Sequence, residues 1–161
     1  MTTFEKVSKL NLAFGNPKGD INNPDWDRIR AQAKLVLEEA QEVYDAALDE
    51  NMQELMDGQG DVTTVNDGVA HIAGFDGNDC YDCVERSNMS KFITTEQESE
   101  ATLDKYYAEG WPVGSLYIEG DLPLARIKVA YDITVDNKEI PKGKFLKCVS
   151  FKEPDFSPLL K

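Results

Sequence analysis

Three glutamates at helical spacing form the first group of residues that could do chemistry. Glu38, Glu39 and Glu42 follow an E-E-x-x-E pattern. At about 100° per residue, their side chains fall within an arc of about 100° on a helix. Carboxylate oxygens are the ligands that Mg²⁺ prefers. A helix over this stretch could therefore supply one side of a metal site.

A second acidic group follows closely in the chain. Glu54, Asp57 and Asp61 would share a helical arc of about 60°. Two such groups facing each other could hold metal ions that bridge nucleotide phosphates and make a bound water acidic enough to attack phosphorus. Asp61 lies at the edge of an apolar stripe that includes Val62 and Val65, so we expect it to be partly buried and to need a partner.

The same acids have a simpler interpretation. Acidic residues on helices usually form a solvated face, and this chain has 30 of them. On the earlier helix the three glutamates lie opposite the apolar residues, where a solvated face would place them. Spacing alone leaves both interpretations open.

Five helices are predicted to position these groups. Asp25 is a candidate N-cap, Gly74 a helix stop, and Thr95 with Glu98 a capping box. The predicted helices cover residues 3–14, about 26–49, 51–73, about 78–91 and 95–108. Glycines at 58, 60 and 68 within the third helix indicate close packing or a local break.

Apolar residues at helical spacing predict the core-facing side of the second helix. They are Ile29, Ala33, Leu37, Ala40, Tyr44, Ala47 and Leu48.

The rest of the chain is richer in β-type patterns. Strands are predicted over residues 116–118, 127–135 and 144–151, with a turn at 136–138 and an extended tail from residue 153. We predict a mainly α protein with a four-helix core, a C-terminal helix and a small β hairpin or sheet. It would form one domain, residues 1–161, with a helical catalytic core over 1–92 and a β-rich extension over 93–161.

Charge and hydropathy narrow the classes of partner. The formal net charge is −13, which disfavours nucleic acids and anionic membranes as general partners. No run approaches the roughly 18 apolar residues of a membrane span. The first residues lack the pattern of a signal peptide, so we expect a cytoplasmic protein.

Cysteine and histidine usage argues against other chemistries. Cys80 and Cys83 form a C-x-x-C pair, but the further candidate zinc ligands, Cys148 and His71, lie far from each other in the sequence. We therefore interpret the pair as ordinary core or surface residues. With His71 as the only histidine, no Ser/His/Asp or Cys/His arrangement is indicated.

Several of these segments, taken in order, resemble a known family. The E-E-x-x-E group, the stretch 54–61 and the sequence Gly-Phe-Asp at 74–76 are similar to the MazG-like all-α nucleoside triphosphate pyrophosphohydrolases. The segment R-S-N-M-S-K at 86–91 resembles that of the phosphoribosyl-ATP pyrophosphohydrolase-like branch, found in bacteria and phages. The resemblance covers residues 4–92 and is looser beyond them.

The resemblance implies metal ligands and a base. Glu39, Glu42, Asp57 and Asp61 would bind Mg²⁺, with Mn²⁺ as an alternative and Glu54 as a further ligand. Glu38 would be a ligand or the base that orients the attacking water. This sequence departs from the family's E-x-x-D motif. The glutamate expected three positions before Asp61 is replaced by Gly58.

The resemblance also implies substrate contacts and a homo-oligomer. Asn88 and Lys91 would face the sugar or base and the phosphates, although a helix cap and a solvated lysine explain them equally well. Phe14 and Trp26 could stack on a base, but we expect core packing for both. The partners would be a nucleotide and a second copy of the chain, in a dimer or tetramer.

The predicted function is Mg²⁺-dependent cleavage of the α–β phosphoanhydride of a (deoxy)nucleoside triphosphate, giving monophosphate and pyrophosphate. Three alternatives stay open. The chain could be a non-catalytic nucleotide-binding relative with Gly58 as its lesion, a helical interaction module whose acids only solubilise it, or an enzyme acting on phosphoribosyl-ATP.

Overall fold

A computed structural model describes residues 1–160, which form two compact units. One unit contains residues 1–82 and 156–160, and the other contains residues 83–155. The prediction of a single domain, divided near residue 92, stays a prediction.

The structure is mainly helical, which confirms the predicted class. The helices are α1 (Thr3–Ala13), α2 (Trp26–Leu48), α3 (Met52–Ala73), α4 (Gly77–Met89) and α5 (Glu96–Ala108). The strands are β1 (Leu116–Glu119), β2 (Arg126–Val129), β3 (Ile133–Val135) and β4 (Lys138–Ile140). A short 3₁₀ helix, Ser157–Leu159, lies in the stretch predicted to be extended.

Side-chain caps fix the helix boundaries near the predicted positions. Asp25 Oδ1 accepts hydrogen bonds from the backbone N–H groups of Asp27 and Arg28, which begins α2. Asn51 caps α3 in the same way, and Gly74 ends that helix in the left-handed conformation with φ 92°. Thr95 caps α5 as predicted, but the Glu98 carboxylate, predicted to complete a capping box, accepts from the N–H and hydroxyl of Thr94 instead. Each cap satisfies backbone groups that a helix end leaves without partners.

The first unit is built on an antiparallel hairpin of α2 and α3, with α1 packed on α3. Two glycines of α3 allow the hairpin to close. A Cβ at Gly58 would lie 3.0 Å from Val43 Cγ2, and a Cβ at Gly68 would lie 2.6 Å from Gln32 Nε2. Gly58 and Gly68 therefore lie where the two helices pack closely, whereas a Cβ at Gly60 would meet no atom within 4 Å, and α3 continues through all three glycines without a break.

His71 ties α1 and the following loop to α3. The imidazole is fully buried, with Nε2 2.9 Å from the carbonyl oxygen of Asn16 and Nδ1 2.8 Å from Ser8 Oγ. A carbonyl oxygen only accepts, so Nε2 carries the proton and Nδ1 accepts from the serine hydroxyl. Nearby, the N–H of Gly19 donates to the carbonyl oxygen of His71 at 2.9 Å. The loop between α1 and α2 is thus held against the end of α3.

The second unit has its own apolar core. Buried side chains from α5, β1, β2 and β3 meet residues of the segments before α5, before β2 and after β4 there; they are Ile93, Tyr106, Leu116, Ala125, Ile127, Val129, Ile133, Leu146 and Cys148. Strands β1 and β2 pair antiparallel, with Leu116 opposite Val129. Strands β3 and β4 form a hairpin that turns at Asp136 and Asn137, both with positive φ, at the predicted turn.

Two strand predictions were wrong. The run over residues 127–135 is split into β2 and β3, because Tyr131 and Asp132 interrupt the pairing. The stretch 144–151 forms no strand. Its β-type pairing is confined to an isolated bridge between Phe145 and Lys128. Its apolar residues Leu146 and Cys148 pack into the core as loop residues, so apolar alternation there reflects burial rather than strand pairing.

Among the described residues, no helix is both long enough and apolar enough to cross a bilayer.

Candidate metal centre

The face of α2 that packs against α3 contains one glutamate. This inner face is the set of residues at steps of three and four that are buried or half-buried: Ile29, Gln32, Val36, Glu39, Val43 and Ala46. The contacts of Gly58 with Val43 and of Gly68 with Gln32 fix an antiparallel register. In that register Glu39 lies level with Asp61. The packing of the hairpin thus brings acids of both helices together.

Four other carboxylates act on Glu39. The pKa of Glu39 is raised above its ordinary value, first by partial burial and then by the negative charges of its neighbours. In decreasing order of effect these neighbours are Glu42, Asp61, Glu38 and Asp57. We call Glu39 and these four residues the acidic cluster. It contains all but one of the acids singled out from the sequence as metal ligands or base.

Compensating positive charge is sparse around the acidic cluster. Glu39 makes no hydrogen bond or ion pair with the described residues. The ion pair that the cluster makes joins Glu38 to Lys34, at 3.5 Å, and both side chains are exposed. Such an exposed pair contributes little. The cluster therefore concentrates negative charge beside a half-buried carboxylate.

The expectation that Asp61 is partly buried was wrong. Asp61, Asp57 and Glu42 are all exposed, and Glu39 is the half-buried member of the cluster. The helix that supplies Asp61 turns its apolar stripe toward α2, and the carboxylate lies far enough around the helix to reach solvent. The need for a partner applies to Glu39 instead.

Glu54 lies apart from the acidic cluster. It occupies the first turn of α3, where its backbone N–H donates to the Asn51 cap, and it is absent from the acids that act on Glu39. A negative side chain in the first turn stabilises a helix, because it interacts favourably with the positive end of the helix dipole. Its role as a further ligand stays a prediction.

Gly58 has a packing role that explains the departure from the E-x-x-D pattern. The residue is buried and faces Val43 across the hairpin. A glutamate at this position would enter the helix interface, while Asp57, one residue earlier, lies on the side of the cluster. Gly58 thus lies at a close approach of the two helices, and Asp57 stands where an acid can act on Glu39.

We expect Gly58→Glu to destabilise the protein instead of restoring a ligand. The new side chain would meet Val43, whose β-branched side chain has little rotamer freedom in a helix. Overpacking of this kind costs about 1–3 kcal/mol. The measurement is the free energy of unfolding in urea.

Gly60→Glu is the matched control for this substitution. It adds the same side chain two residues later, where a Cβ meets no atom within 4 Å. It should leave stability unchanged or improve it. Equal stability of the Gly58 and Gly60 variants would contradict the packing role of Gly58.

In residues 1–160, no three acidic, cysteine or histidine side chains are already arranged to hold one ion together. Of the C-x-x-C pair, Cys83 is buried and Cys80 half-buried, and their interpretation as ordinary residues stays a prediction. In the acidic cluster most side chains are exposed and free to rotate, and like charges repel one another unless a cation lies between them.

The chemistry of the acidic cluster nevertheless suits a hard divalent cation. Its donors are carboxylate oxygens, which Mg²⁺ and Mn²⁺ prefer. Burial is the larger cause of the raised pKa of Glu39, and a cation would offset the second cause, the repulsion from the neighbouring carboxylates. Glu39, Glu42, Asp57 and Asp61 are the residues that would hold it.

Asn88 and Lys91 contact each other at the end of α4. Lys91 Nζ donates to Asn88 Oδ1 at 2.7 Å, and the Lys91 N–H donates to the carbonyl oxygen of Asn88. The two serines of the R-S-N-M-S-K segment bind the backbone of Lys152. Ser87 Oγ donates to its carbonyl oxygen, and its N–H donates to Ser90 Oγ. Part of the R-S-N-M-S-K segment is therefore structural, and substrate contacts by Asn88 and Lys91 stay a prediction.

The expectation that Phe14 and Trp26 pack in the core was wrong. Phe14 ends α1 and Trp26 begins α2, and both side chains are largely exposed. Both residues flank the loop between α1 and α2, which the hydrogen bond from Gly19 to His71 holds, and neither side chain reaches the interior. Their proposed stacking on a base stays open.

The apolar stripe predicted for the core side of α2 was also largely misplaced. Ile29 is buried, but the other six residues are exposed. Gln32 and Glu39, both polar, lie on the side that packs against α3. The helix thus has a second apolar face beside the inner one.

One charged residue near the acidic cluster was not predicted from the sequence. Lys34 lies four residues before Glu38 and pairs with it. The i, i+4 spacing of opposite charges is the signal that could have identified this pair.

Comparison with known proteins finds a similar viral protein and no matching family model. The chain is similar to "Uncharacterized protein L479" of Acanthamoeba polyphaga mimivirus, with 36% identity over 98 residues. That match covers 57% of this chain and 34% of the viral protein, so the chain spans about a third of the relative's length.

Proposed function

We propose that this protein is a Mg²⁺-dependent nucleotide pyrophosphohydrolase that uses the acidic cluster of the α2–α3 hairpin. The observation that carries the proposal is the convergence on Glu39 of four carboxylates from two antiparallel helices. The resemblance of residues 4–92 to the MazG-like pyrophosphohydrolases supports it. The substrate would be a (deoxy)nucleoside triphosphate.

An acidic cluster needs a cation before it can accept a phosphate. With a net charge of −13, the bare protein repels a triphosphate. A divalent ion bound by Glu39, Glu42, Asp57 and Asp61 would supply the missing positive charge and lower the pKa of a bound water. The proposed activity therefore requires metal absolutely.

The reaction needs no covalent intermediate. Water forms a bond to the α-phosphorus, the bond from that phosphorus to the bridging oxygen breaks, and pyrophosphate leaves with the electron pair. A proton of the water passes to a carboxylate, for which Glu38 is the candidate. Its side chain is exposed and its one partner, Lys34, is held weakly, so it can turn toward a water.

A second candidate is a nucleotide-binding relative without catalysis. It is favoured by the finding that no three side chains of residues 1–160 are arranged around one ion. This candidate predicts nucleotide affinity in the absence of turnover, whereas a purely solubilising set of acids predicts neither.

The test is product analysis on a panel of ribo- and deoxynucleoside triphosphates and phosphoribosyl-ATP, with Mg²⁺ and with chelator. We expect monophosphate and pyrophosphate with metal, and a loss of at least about 100-fold for Glu42→Gln, because a lost ligand weakens both metal binding and charge stabilisation. Glu50→Gln, outside the cluster, is the matched control and should keep full activity.

Each other outcome has a defined meaning. Orthophosphate release would show that another bond is cleaved. Cleavage confined to phosphoribosyl-ATP would replace the substrate class. Nucleotide binding without turnover, by folded protein with metal present, would favour the non-catalytic candidate.

A further inference from the structure

The exposed apolar face of α2 follows a regular repeat. This outer face consists of Ala33, Leu37, Ala40, Tyr44 and Ala47, at alternating steps of four and three residues. That spacing is the heptad repeat by which one helix packs along another. The inner face already packs against α3, so the outer face is a second seam on the same helix.

The outer face is uncovered by the described residues. Leu37 is 72% exposed and Tyr44 59% exposed, and the three alanines are exposed as well. Leu48, 63% exposed, extends the same surface toward the end of the helix. A row of apolar side chains along most of a helix of 23 residues is unusual for a surface that only meets water.

Large and small residues alternate along the outer face in a way that fits a second copy. In an antiparallel pair related by a two-fold axis near residue 42, Tyr44 of one copy would lie opposite Ala40 of the other. Leu37 would lie opposite Ala47. Both of these layers would then combine a large residue with an alanine, which is how facing layers interdigitate without voids, while Ala33 would lie beyond the end of the partner helix. The face is thus complementary to itself, as a two-fold interface requires.

The charges of α2 favour the same antiparallel arrangement. Its three basic residues, Arg28, Arg30 and Lys34, all lie in the first half of the helix. Four of its five acidic residues lie in the second half. Three of these four acids belong to the acidic cluster, away from the outer face, so they act through the overall charge of that half of the helix and not through contacts in the interface. Parallel pairing would place the acidic halves together, whereas antiparallel pairing places each acidic half beside a basic one.

We propose that the outer face of α2 is the contact between two copies of this chain, paired antiparallel about an axis near residue 42. The proposal specifies the surface and the orientation of the homo-oligomer. It does not depend on the proposed hydrolysis, because on α2 the acidic cluster and the outer face lie on opposite sides of the inner face.

The first test is the mass of the full chain in solution, by light scattering during size exclusion. We expect twice the chain mass of 18.0 kDa for the wild type and 18.0 kDa for Leu37→Glu. Because Leu37 is exposed, the variant should keep the wild-type circular dichroism spectrum. Leu12→Glu on α1, also at an exposed leucine, is the matched control and should keep the doubled mass.

Cysteine cross-linking tests the orientation. Gln41→Cys places a thiol beside the proposed axis, so two copies should join on mild oxidation. Ala33→Cys places thiols about 27 Å apart in an antiparallel pair, at 1.5 Å per residue, and should not join them. Wild-type protein, with Cys80, Cys83 and Cys148, gives the background.

Three results would overturn the proposal. They are a wild-type monomer at tens of micromolar, a Leu37→Glu variant that keeps the doubled mass, and efficient cross-linking through Ala33→Cys. Loss of hydrolysis in a protein that keeps the predicted assembly would affect the proposed function alone.

Discussion

Replacing Glu39 by glutamine is expected to reduce metal-dependent hydrolysis at least about 100-fold while raising the melting temperature of the metal-free protein. Activity falls because Glu39 is the central ligand candidate of the acidic cluster. Stability rises because the neutral amide removes the repulsion from Glu42, Asp61, Glu38 and Asp57. Opposite signs in the two measurements distinguish a functional carboxylate from a structural one.

The pH dependence of stability gives an independent check of Glu39. A carboxyl whose pKa is raised by folding binds its proton more tightly in the folded state than in the unfolded state. Its contribution favours folding below the ordinary value of 4.5 and is lost as the pH rises through the raised pKa. The stability difference between Glu39→Gln and wild type should therefore grow from acidic to neutral pH.

Glu50→Gln is the control for both measurements. It removes one carboxylate of the same type from the turn between α2 and α3, outside the acids that act on Glu39. Activity and the pH dependence of stability should both stay at the wild-type level. If Glu39→Gln kept activity or lowered stability at neutral pH, the interpretation of the acidic cluster would be wrong.

Gly19→Ala is expected to cause the largest loss of stability, at least about 3 kcal/mol. A Cβ at residue 19 would lie 1.8 Å from the carbonyl oxygen of Ile72. Backbone atoms block that position, so no side-chain rotation relieves the overlap. The loop would have to leave α3, which would also break the hydrogen bond from Gly19 to His71.

Urea unfolding of the variants measures this effect. Gly60→Ala is the control, because a Cβ there meets nothing within 4 Å and alanine is the better helix former by about 0.5–1 kcal/mol. The control should be slightly more stable than wild type. A Gly19→Ala variant of unchanged stability would show that the loop is not held as the structure indicates.

Local signals allowed most helix boundaries to be predicted from the sequence. Asp25, Thr95 and Gly74 have the chemistry that helix ends require, and each acts where predicted. These interactions join residues within one turn, so they depend little on the rest of the fold. The same is true of the turn at Asp136 and Asn137.

Contacts between distant residues could not be predicted in the same way. The role of His71 depends on Ser8 and Asn16, which are more than 50 residues away. From the sequence alone, Gly58 is interpreted as a lost acid of the motif, whereas the structure places it against Val43 of the neighbouring helix. In both cases the reason for the residue lies on another element.

The misplaced apolar stripe of α2 has a general physical cause. Ala33, Leu37 and Tyr44 have the spacing of a buried face, but Val36 and Val43 have it too. A helix with two apolar seams does not reveal from its sequence which one packs within the chain. If the second seam packs against another copy, both patterns are core patterns in the assembled protein.

The most direct test of the central claim is metal binding, measured by titrating the protein with Mn²⁺ and following the paramagnetic resonance of the free ion. The account predicts saturable binding that Mg²⁺ displaces, weakened at least tenfold by Glu39→Gln and unchanged by Glu50→Gln. Absence of saturable binding, with and without a nucleoside triphosphate, would contradict the account and leave the acidic cluster as a solvated surface.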